Sequence, residues 1–180
     1  MANQSINLSP QTLLIMTLIS LLTINRSFHG TGAQETGKAL IESTCKKTQY
    51  PEECISALES DPSSFNANLT GLTRIAVQKS ESKLIETLNI VNKFVLNETD
   101  YLTWGFLVFC RDSYNASVPQ IQAGLQAFDK LEFEKSYRSV EAVNKAVVEC
   151  DKQGLKMISQ VNSGLFRLTK DATSILDLLF

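Results

Sequence analysis

The sequence predicts an all-α protein: an up-down-up-down four-helix bundle preceded by an N-terminal helical hairpin and held by two disulfides. Apolar residues recur at steps of three and four, the spacing of amphipathic helices. Strand signals are scarce, because the chain has no Asn-Gly or Asp-Gly turn and no sustained period-two alternation. The four cysteines form two pairs, each symmetric about a turn-like segment, as antiparallel helices require.

The chain opens with a segment typical of secretion. Residues 13–24 (LLIMTLISLLTI) are apolar, but this run is shorter than the ~20 residues that a membrane-spanning helix needs. A Thr-Gly-Ala triplet follows, so we interpret residues 1–33 as a signal peptide cleaved after Ala33, with cleavage after Gly30 or Gly32 as the alternative. The alternative interpretation is a buried N-terminal helix.

The mature domain is predicted to cover residues 34–180, with a helical hairpin over 34–66 and the bundle over 67–180. In the hairpin, Cys45 and Cys54 flank a Gln-Tyr-Pro turn symmetrically. Helices this short are marginal alone, so we expect a disulfide between these two cysteines.

Four helices are predicted in the bundle, and Pro119 is expected to kink or divide the second because it lacks an N–H. Their apolar positions are, in chain order, Leu72, Ile75, Ala76, Leu84, Leu88, Val91 and Val95; then Leu102, Phe106, Phe109, Ile121, Leu125 and Phe128; then Tyr137, Val140, Val143, Val147 and Cys150; and last Ile158, Val161, Leu165, Leu168, Ala172, Ile175 and Leu179.

The second cysteine pair is predicted to join two of these helices. Cys110 and Cys150 are symmetric about Lys130, and this symmetry selects one of the three connectivities that four cysteines allow. Disulfides imply an oxidising compartment, whereas free buried thiols would be expected in the cytosol.

Charge and composition exclude several functions. Without Arg26 and His29 the mature chain has 16 Lys and Arg, 19 Asp and Glu, and no histidine. This composition argues against nucleic-acid binding and excludes Ser-His-Asp or Cys-His catalysis and histidine-containing metal sites. We expect no cofactor, no metal, and no membrane association once the signal is removed.

Three N-glycosylation triplets begin at Asn68, Asn97 and Asn115. The first two fall in predicted loops, which makes them plausible glycan sites. Asn115 falls within a predicted helix.

No catalytic motif is found in the sequence. Glu52-Glu53, Glu132, Glu134 and Asp171 occupy polar positions of the helical pattern, which indicates a solvated face. An aromatic cluster beside Cys110 favours core packing against the disulfide, with a lipid pocket as the alternative; its members are Trp104, Phe106 and Phe109.

Two stretches of the sequence are similar to those of a known family. Residues 40–58 (LIESTCKKTQYPEECISAL), with Ser60-Asp61-Pro62 and Gly71-Leu72 after them, resemble the opening of plant invertase/pectin methylesterase inhibitors. Cys110 followed four residues later by Tyr114 resembles the third cysteine of that family, and Cys150 stands where the fourth is expected.

The resemblance implies a helical hairpin and a four-helix bundle with first-to-second and third-to-fourth disulfides. It also implies a secreted, non-catalytic protein of the cell wall or vacuole that blocks the substrate cleft of a pectin methylesterase or an acid invertase. Residues 130–135 lack the Pro-Lys-Phe segment of many invertase-directed members, and the distance from Phe133 to Cys150 is similar to that of esterase-directed members. Ser117-Val118-Pro119, in contrast, resembles a feature of invertase-directed members.

These features favour pectin methylesterase slightly, with acid invertase as the alternative. The predicted contact residues lie at the turn before the third bundle helix and along that helix: Lys130, Glu132, Phe133, Glu134, Lys135, Ser136, Arg138 and Glu141. Among them Phe133 is favoured, since interfaces prefer aromatic anchors. Two hypotheses of other classes are a secreted carrier of an apolar ligand, lined by the aromatic cluster, and a small secreted enzyme.

Overall fold

The structure is a computed structural model that describes residues 35–180; the predicted signal peptide lies outside these residues. The described part forms six α-helices and three short 3-10 helices and contains no strand. The helices are α1 (Gly37–Cys45), α2 (Pro51–Glu59), α3 (Leu69–Asn97), α4 (Tyr101–Asp129), α5 (Phe133–Asp151) and α6 (Ser159–Leu176), and the 3-10 helices are Pro62–Asn66, Lys156–Ile158 and Asp177–Leu179.

The long helices α3 to α6 form the predicted four-helix bundle. Each packs against its two neighbours in chain order, and α3 closes the ring against α6. Short connections make consecutive helices antiparallel. The all-α prediction, with its N-terminal hairpin and two disulfides, is confirmed. None of the helices between residues 35 and 180 combines the length and apolarity needed to cross a bilayer.

Helix α3 is continuous, although its apolar pattern is interrupted in the sequence. Asn68 caps its start, because the Oδ1 atom accepts a hydrogen bond from the backbone N–H of Gly71 at 2.9 Å. At the interruption, buried Ser80 takes the inward position and donates its hydroxyl to the carbonyl of Ala76 at 2.9 Å. A small hydroxyl thus continues the buried face between Val77 and Leu84.

Helix α4 departs from two expectations. Of the kink or division expected at Pro119, division does not occur: the helix continues through this residue, which lies on the exposed face, where water can reach the carbonyl left without its helical donor. Its inward positions also differ from the predicted ones, because Leu107 and Cys110 are buried while Leu102 and Phe109 are exposed. Cys110 must face α5 to reach Cys150, and this requirement sets the rotation of the helix.

The disulfides join the cysteines in the pairs that turn symmetry selected. Cys45 and Cys54 link α1 to α2 with their Cα atoms 5.6 Å apart. Cys110 and Cys150 link α4 to α5 with a Cα separation of 5.0 Å.

A polar network lies beside the second disulfide in the bundle interior. The Tyr114 hydroxyl donates to Oδ1 of Asn162 at 2.8 Å, joining α4 to α6 across the bundle. Nδ2 of Asn162 donates to Oδ1 of Asp151 at 2.7 Å. Burial raises the pKa of the Tyr114 phenol above its usual range, so this hydroxyl remains a donor.

Candidate target-binding surface

The turn between α4 and α5, residues 129–135, forms the α4–α5 tip. The N–H of Leu131 donates to the carbonyl of Phe128 at 2.8 Å, and the N–H of Glu132 donates to that of Ala127 at 2.9 Å. These two bonds define a Schellman helix ending, which needs a left-handed residue that is usually glycine. Leu131 occupies that position with φ of 64°, at a cost of about 1–2 kcal/mol for an L-residue.

This backbone conformation places the Leu131 side chain in solvent. It is 69% exposed, and it lies on the wall of a groove of about 410 Å³ together with Phe133 and Phe180. Glu132, Glu134 and Lys135 complete the lining. The tip therefore presents apolar side chains surrounded by charges, which is the arrangement of an interface anchor and its polar rim.

Charges continue along the exposed face of α5 in pairs one helical turn apart. Lys135 is 3.1 Å from Glu132, Arg138 pairs with Glu134, and Lys145 is 3.6 Å from Glu141. Exposed pairs of this kind are worth well under about 1 kcal/mol each. Because the pairs are weak, a partner surface can replace them at small cost.

The predicted contact residues do not all share this surface. Lys130, Glu132, Glu134, Lys135 and Arg138 are exposed at the tip or on the first turns of α5. Glu141 is half-buried and lines a second groove of about 250 Å³ between α5 and α6.

Two of the predicted residues are placed differently from what direct contact requires. Ser136 is fully buried, because it lies on the same face of α5 as Val140 and Val143. Phe133 is half-buried and packs against Phe128, with ring centroids 5.1 Å apart. The expectation that Ser136 contacts a partner is therefore wrong. Phe133 is partly exposed at the tip, and its ring also packs on Phe128 and so stabilises the turn.

Leu131 at the tip and Phe180 on the wall of the adjoining groove are the surface residues that the sequence analysis does not identify. A left-handed leucine has no sequence signal of its own, since glycine or asparagine normally marks that position. The polar Asp-Lys-Leu-Glu stretch indicated a turn but not which side chain projects from it.

Close approach of the helices fixes the base of the tip. A Cβ built on Gly124 of α4 would lie 2.6 Å from the Cβ of Ser139 on α5, well inside van der Waals contact. Glycine is thus required for α4 and α5 to pack at this distance, and the start of α5 is held firmly against its neighbour.

A second polar site, the hairpin junction, joins the hairpin to α6. The carboxylate of Asp171 accepts the backbone N–H of Tyr50 at 2.8 Å, and beside it Nε of Arg167 is 2.9 Å from a carboxylate oxygen of Glu53. Asp171 is 1% exposed, which corrects the expectation of a solvated face. Burial raises its pKa to about 6, although the hydrogen bond from Tyr50 opposes the shift.

The aromatic cluster near Cys110 is not part of the core. Trp104 and Phe109 are 39% and 44% exposed, and Phe106 is half-buried. Trp104 and Phe109 face outward from α4, so these two side chains neither pack in the core against the disulfide nor line a pocket between the helices. An internal cavity between α2, α3 and α6 holds only about 10 Å³, room for about one water molecule.

The three glycosylation triplets occupy different settings. Asn68 is exposed at the start of α3, and Asn97 is exposed at its end. Asn115 is exposed within α4, but the hydroxyl of Ser117 is buried and donates to the carbonyl of Ser113 at 2.8 Å. In residues 35–180 no group of three or more acidic, cysteine or histidine side chains is arranged to hold a metal ion.

The fold belongs to a class with solved representatives. A mutant form of a pectin methylesterase inhibitor from Arabidopsis superposes with a TM-score of 0.67 at 16% identity, covering 77% of this chain and 95% of that chain. A pectin methylesterase inhibitor from Arabidopsis thaliana superposes with a TM-score of 0.59 at 16% identity, covering 78% and 95%. At this identity the likeness concerns the fold: a helical bundle carrying an N-terminal hairpin.

Sequence comparison identifies the family. A family model described as plant invertase/pectin methylesterase inhibitor matches residues 39–175, and the chain belongs to this family. The resemblance seen in its cysteines and opening motif is thereby confirmed, and the family consists of inhibitors rather than enzymes.

Individual relatives are named for two different targets. Cell wall / vacuolar inhibitor of fructosidase 2 from Arabidopsis thaliana is 31% identical over 117 residues, which cover 63% of this chain and 65% of the relative. A pectinesterase inhibitor from Actinidia deliciosa is 29% identical over 82 residues, covering 46% and 44%. The chain thus spans less than two thirds of each of these relatives.

Proposed function

We propose that this protein is a secreted inhibitor that occludes the substrate cleft of a plant carbohydrate-active enzyme, with pectin methylesterase as the preferred target. The observation that carries this proposal is the α4–α5 tip. There an exposed apolar side chain, Leu131, projects from a helix ending that hydrogen bonds hold in one conformation.

Rigidity of the tip favours this mode of action. A surface that is already ordered loses little conformational entropy on docking, so more of its contact energy appears as affinity. The Cys110–Cys150 link, the close packing at Gly124 and the Phe128–Phe133 contact all restrain the helices that carry the tip.

The target preference depends on the segment from 130 to 150. The missing Pro-Lys-Phe motif and the distance from Phe133 to Cys150 favour pectin methylesterase. Acid invertase is the second candidate, because a relative that is 31% identical is named as an inhibitor of fructosidase.

Secretion to the cell wall, or delivery to the vacuole, is part of the same proposal. It is supported by the apolar segment at residues 13–24, by two disulfides, and by relatives that are named cell wall / vacuolar inhibitors. Oxidising compartments are where such links persist.

Titration against both enzymes tests the proposal. Purified disulfide-bonded protein is added to one pectin methylesterase and to one acid invertase, and residual activity is followed to saturation. We expect stoichiometric inhibition of the esterase. Inhibition of invertase alone would reverse the preference, and inhibition of neither would refute the function.

A matched pair of variants connects inhibition to the tip. Leu131→Asp places a charge at the proposed anchor and should weaken inhibition roughly tenfold or more, since anchors of this kind dominate binding. Leu102→Asp makes the same change at an exposed leucine in the first turn of α4, at the opposite end of that helix from Leu131. It should leave inhibition within about twofold, because Leu102 lies far from the proposed contact surface. Equal losses in both variants would contradict the assignment of the surface.

A further inference from the structure

An exposed apolar cluster lies at the end of the bundle opposite the α4–α5 tip. Leu96 and Tyr101 are each 83% exposed, and Trp104 is 39% exposed. The rings of Tyr101 and Trp104, which are one turn apart on α4, stack with their centroids 6.2 Å apart. We call Leu96, Tyr101 and Trp104 the aromatic cap, and exposed apolar groups of this kind mark surfaces that bind a ligand or partner.

One glycosylation triplet lies in the chain between the cap residues Leu96 and Tyr101. Asn97 is the last residue of α3, directly after Leu96 and four residues before Tyr101. Both Asn97 and Thr99 are exposed. Nδ2 of Asn97 donates to the carbonyl of Lys93 at 2.6 Å, and a glycosylated Nδ2 keeps one hydrogen with which to do so.

We propose that Asn97 carries an N-linked glycan whose first sugars pack over the aromatic cap. The inference depends on the proposed function, since glycosylation requires passage through the secretory pathway. In the transfer step, Nδ2 attacks C1 of a lipid-diphosphate-linked oligosaccharide. An N–C1 bond forms, the C1–O bond to the diphosphate breaks, and one amide proton is released. Nothing is oxidised or reduced.

Sugar rings suit this surface because they combine apolar C–H faces with outward hydroxyls. The C–H faces pack on aromatic faces such as those of Tyr101 and Trp104, while the hydroxyls make the covered surface soluble. The position also leaves the target-binding surface free, because the 29 residues of α4 separate the cap from the tip by about 40 Å. Asn68, at the start of α3, lies at the tip end of the bundle instead.

Trp104 provides a specific readout, since it is the only tryptophan in the chain. Protein secreted from plant cells is compared with two variants that abolish the triplet, Asn97→Gln and Thr99→Ala. Thr99→Ser, which keeps the triplet, and Asn68→Gln serve as matched controls. Peptide mass mapping measures the occupancy of each asparagine, and acrylamide quenching measures the accessibility of Trp104.

We expect Asn97 to be occupied and both triplet-destroying variants to raise the quenching constant of Trp104 roughly twofold, because without the covering sugars more of the ring contacts the quencher. The two controls should match the parent protein. Occupied Asn97 with unchanged quenching would overturn the covering. An empty Asn97 beside an occupied Asn68 or Asn115 would overturn the site while leaving secretion intact. Retention in the cell with all three triplets empty would refute the proposed function as well.

Discussion

The hairpin junction and the α4–α5 tip use polar residues in opposite ways. At the junction, the Asp171 carboxylate is buried and bonds the backbone of Tyr50. At the tip, ion pairs such as Arg138 with Glu134 are exposed, and an apolar side chain, Leu131, faces solvent. Buried polar bonds are costly to break and therefore fix a geometry. Exposed pairs are weak and leave the tip free to exchange them for contacts with a partner.

Removing the disulfides tests how strongly covalent links hold the helices, and it should have the largest effect on the free energy of unfolding. On the loop-closure model, replacing Cys110 and Cys150 by alanine should lower the free energy of unfolding by about 4 kcal/mol, and replacing Cys45 and Cys54 by about 2.7 kcal/mol. Denaturant unfolding of each double variant measures the losses. Similar small losses for both pairs would indicate that packing alone holds the helices.

The pH dependence of stability tests the junction itself. The pKa of Asp171 is raised to about 6, whereas an unfolded aspartate titrates near 3.9. The folded state therefore binds the proton more tightly, and the contribution of Asp171 to stability falls as pH rises from about 4 to about 6, by up to about 3 kcal/mol.

Asp171→Asn keeps an acceptor for Tyr50 but cannot ionise. Its free energy of unfolding relative to the parent protein should therefore increase over the same pH interval. Chemical denaturation at several pH values measures this difference. Parallel pH profiles for the two proteins would show that the carboxyl group does not titrate in this range.

Gly124→Ala tests whether the tip is held by close packing. The added methyl group would meet the Cβ of Ser139 at 2.6 Å, so α4 and α5 must separate, at a cost of about 1–3 kcal/mol. Gly105→Ala in the same helix is the control, because nothing lies within 4 Å of its added Cβ. It should stabilise the protein by roughly 0.5–1 kcal/mol. Thermal unfolding of both variants distinguishes packing from helix propensity.

Replacing Leu131 distinguishes the contribution of its side chain to inhibition from the contribution of the left-handed turn. Leu131→Gly relieves the left-handed strain but adds flexibility to the unfolded chain, so stability should change by less than about 1 kcal/mol. Leu131→Ala keeps the strain and removes most of the side chain. Both variants should weaken inhibition to a similar extent in the esterase titration. Retained inhibition by the alanine variant would mean that the shape of the turn matters and the leucine does not.

The smallest effect is expected at the exposed ion pairs. A double-mutant cycle with Glu134→Gln and Arg138→Gln should give a coupling energy of about 0.5 kcal/mol or less. Denaturant unfolding of the single and double variants provides it. A coupling above about 2 kcal/mol would show that ion pairs stabilise the tip as strongly as buried polar bonds stabilise the junction, and the two regions would then not differ in this respect.

Sequence patterns predicted the number and order of the helices, but they did not always predict whether an individual side chain is buried or exposed. The rotation of α4 was misjudged because Phe106 and Phe109 are large and apolar, although counting from Cys110 by threes and fours reaches the buried Tyr114, Ser117 and Ile121. Ser136 could have been found in the same way from Val140 and Val143.

Two other features depend on contacts between distant parts of the chain. Asp171 occupies a polar position of a helical pattern, and it becomes buried only because the hairpin, some 120 residues earlier, packs over it. The left-handed Leu131 follows from the way α4 ends against α5. Local periodicity does not depend on contacts between distant residues, so it predicts neither the burial of Asp171 nor the left-handed conformation of Leu131.

The bond between Tyr114 and Asn162 has a consequence for protein engineering. Apolar stripes tolerate several sliding alignments of one helix along another, but a buried phenol and amide find each other in only one of them. A scaffold that retains Tyr114 and Asn162 therefore keeps the axial alignment of α4 and α6 when foreign loops are grafted between α4 and α5. The bundle can then serve as a scaffold for selecting new binders, because the bond that fixes the helix alignment lies away from the randomised loop.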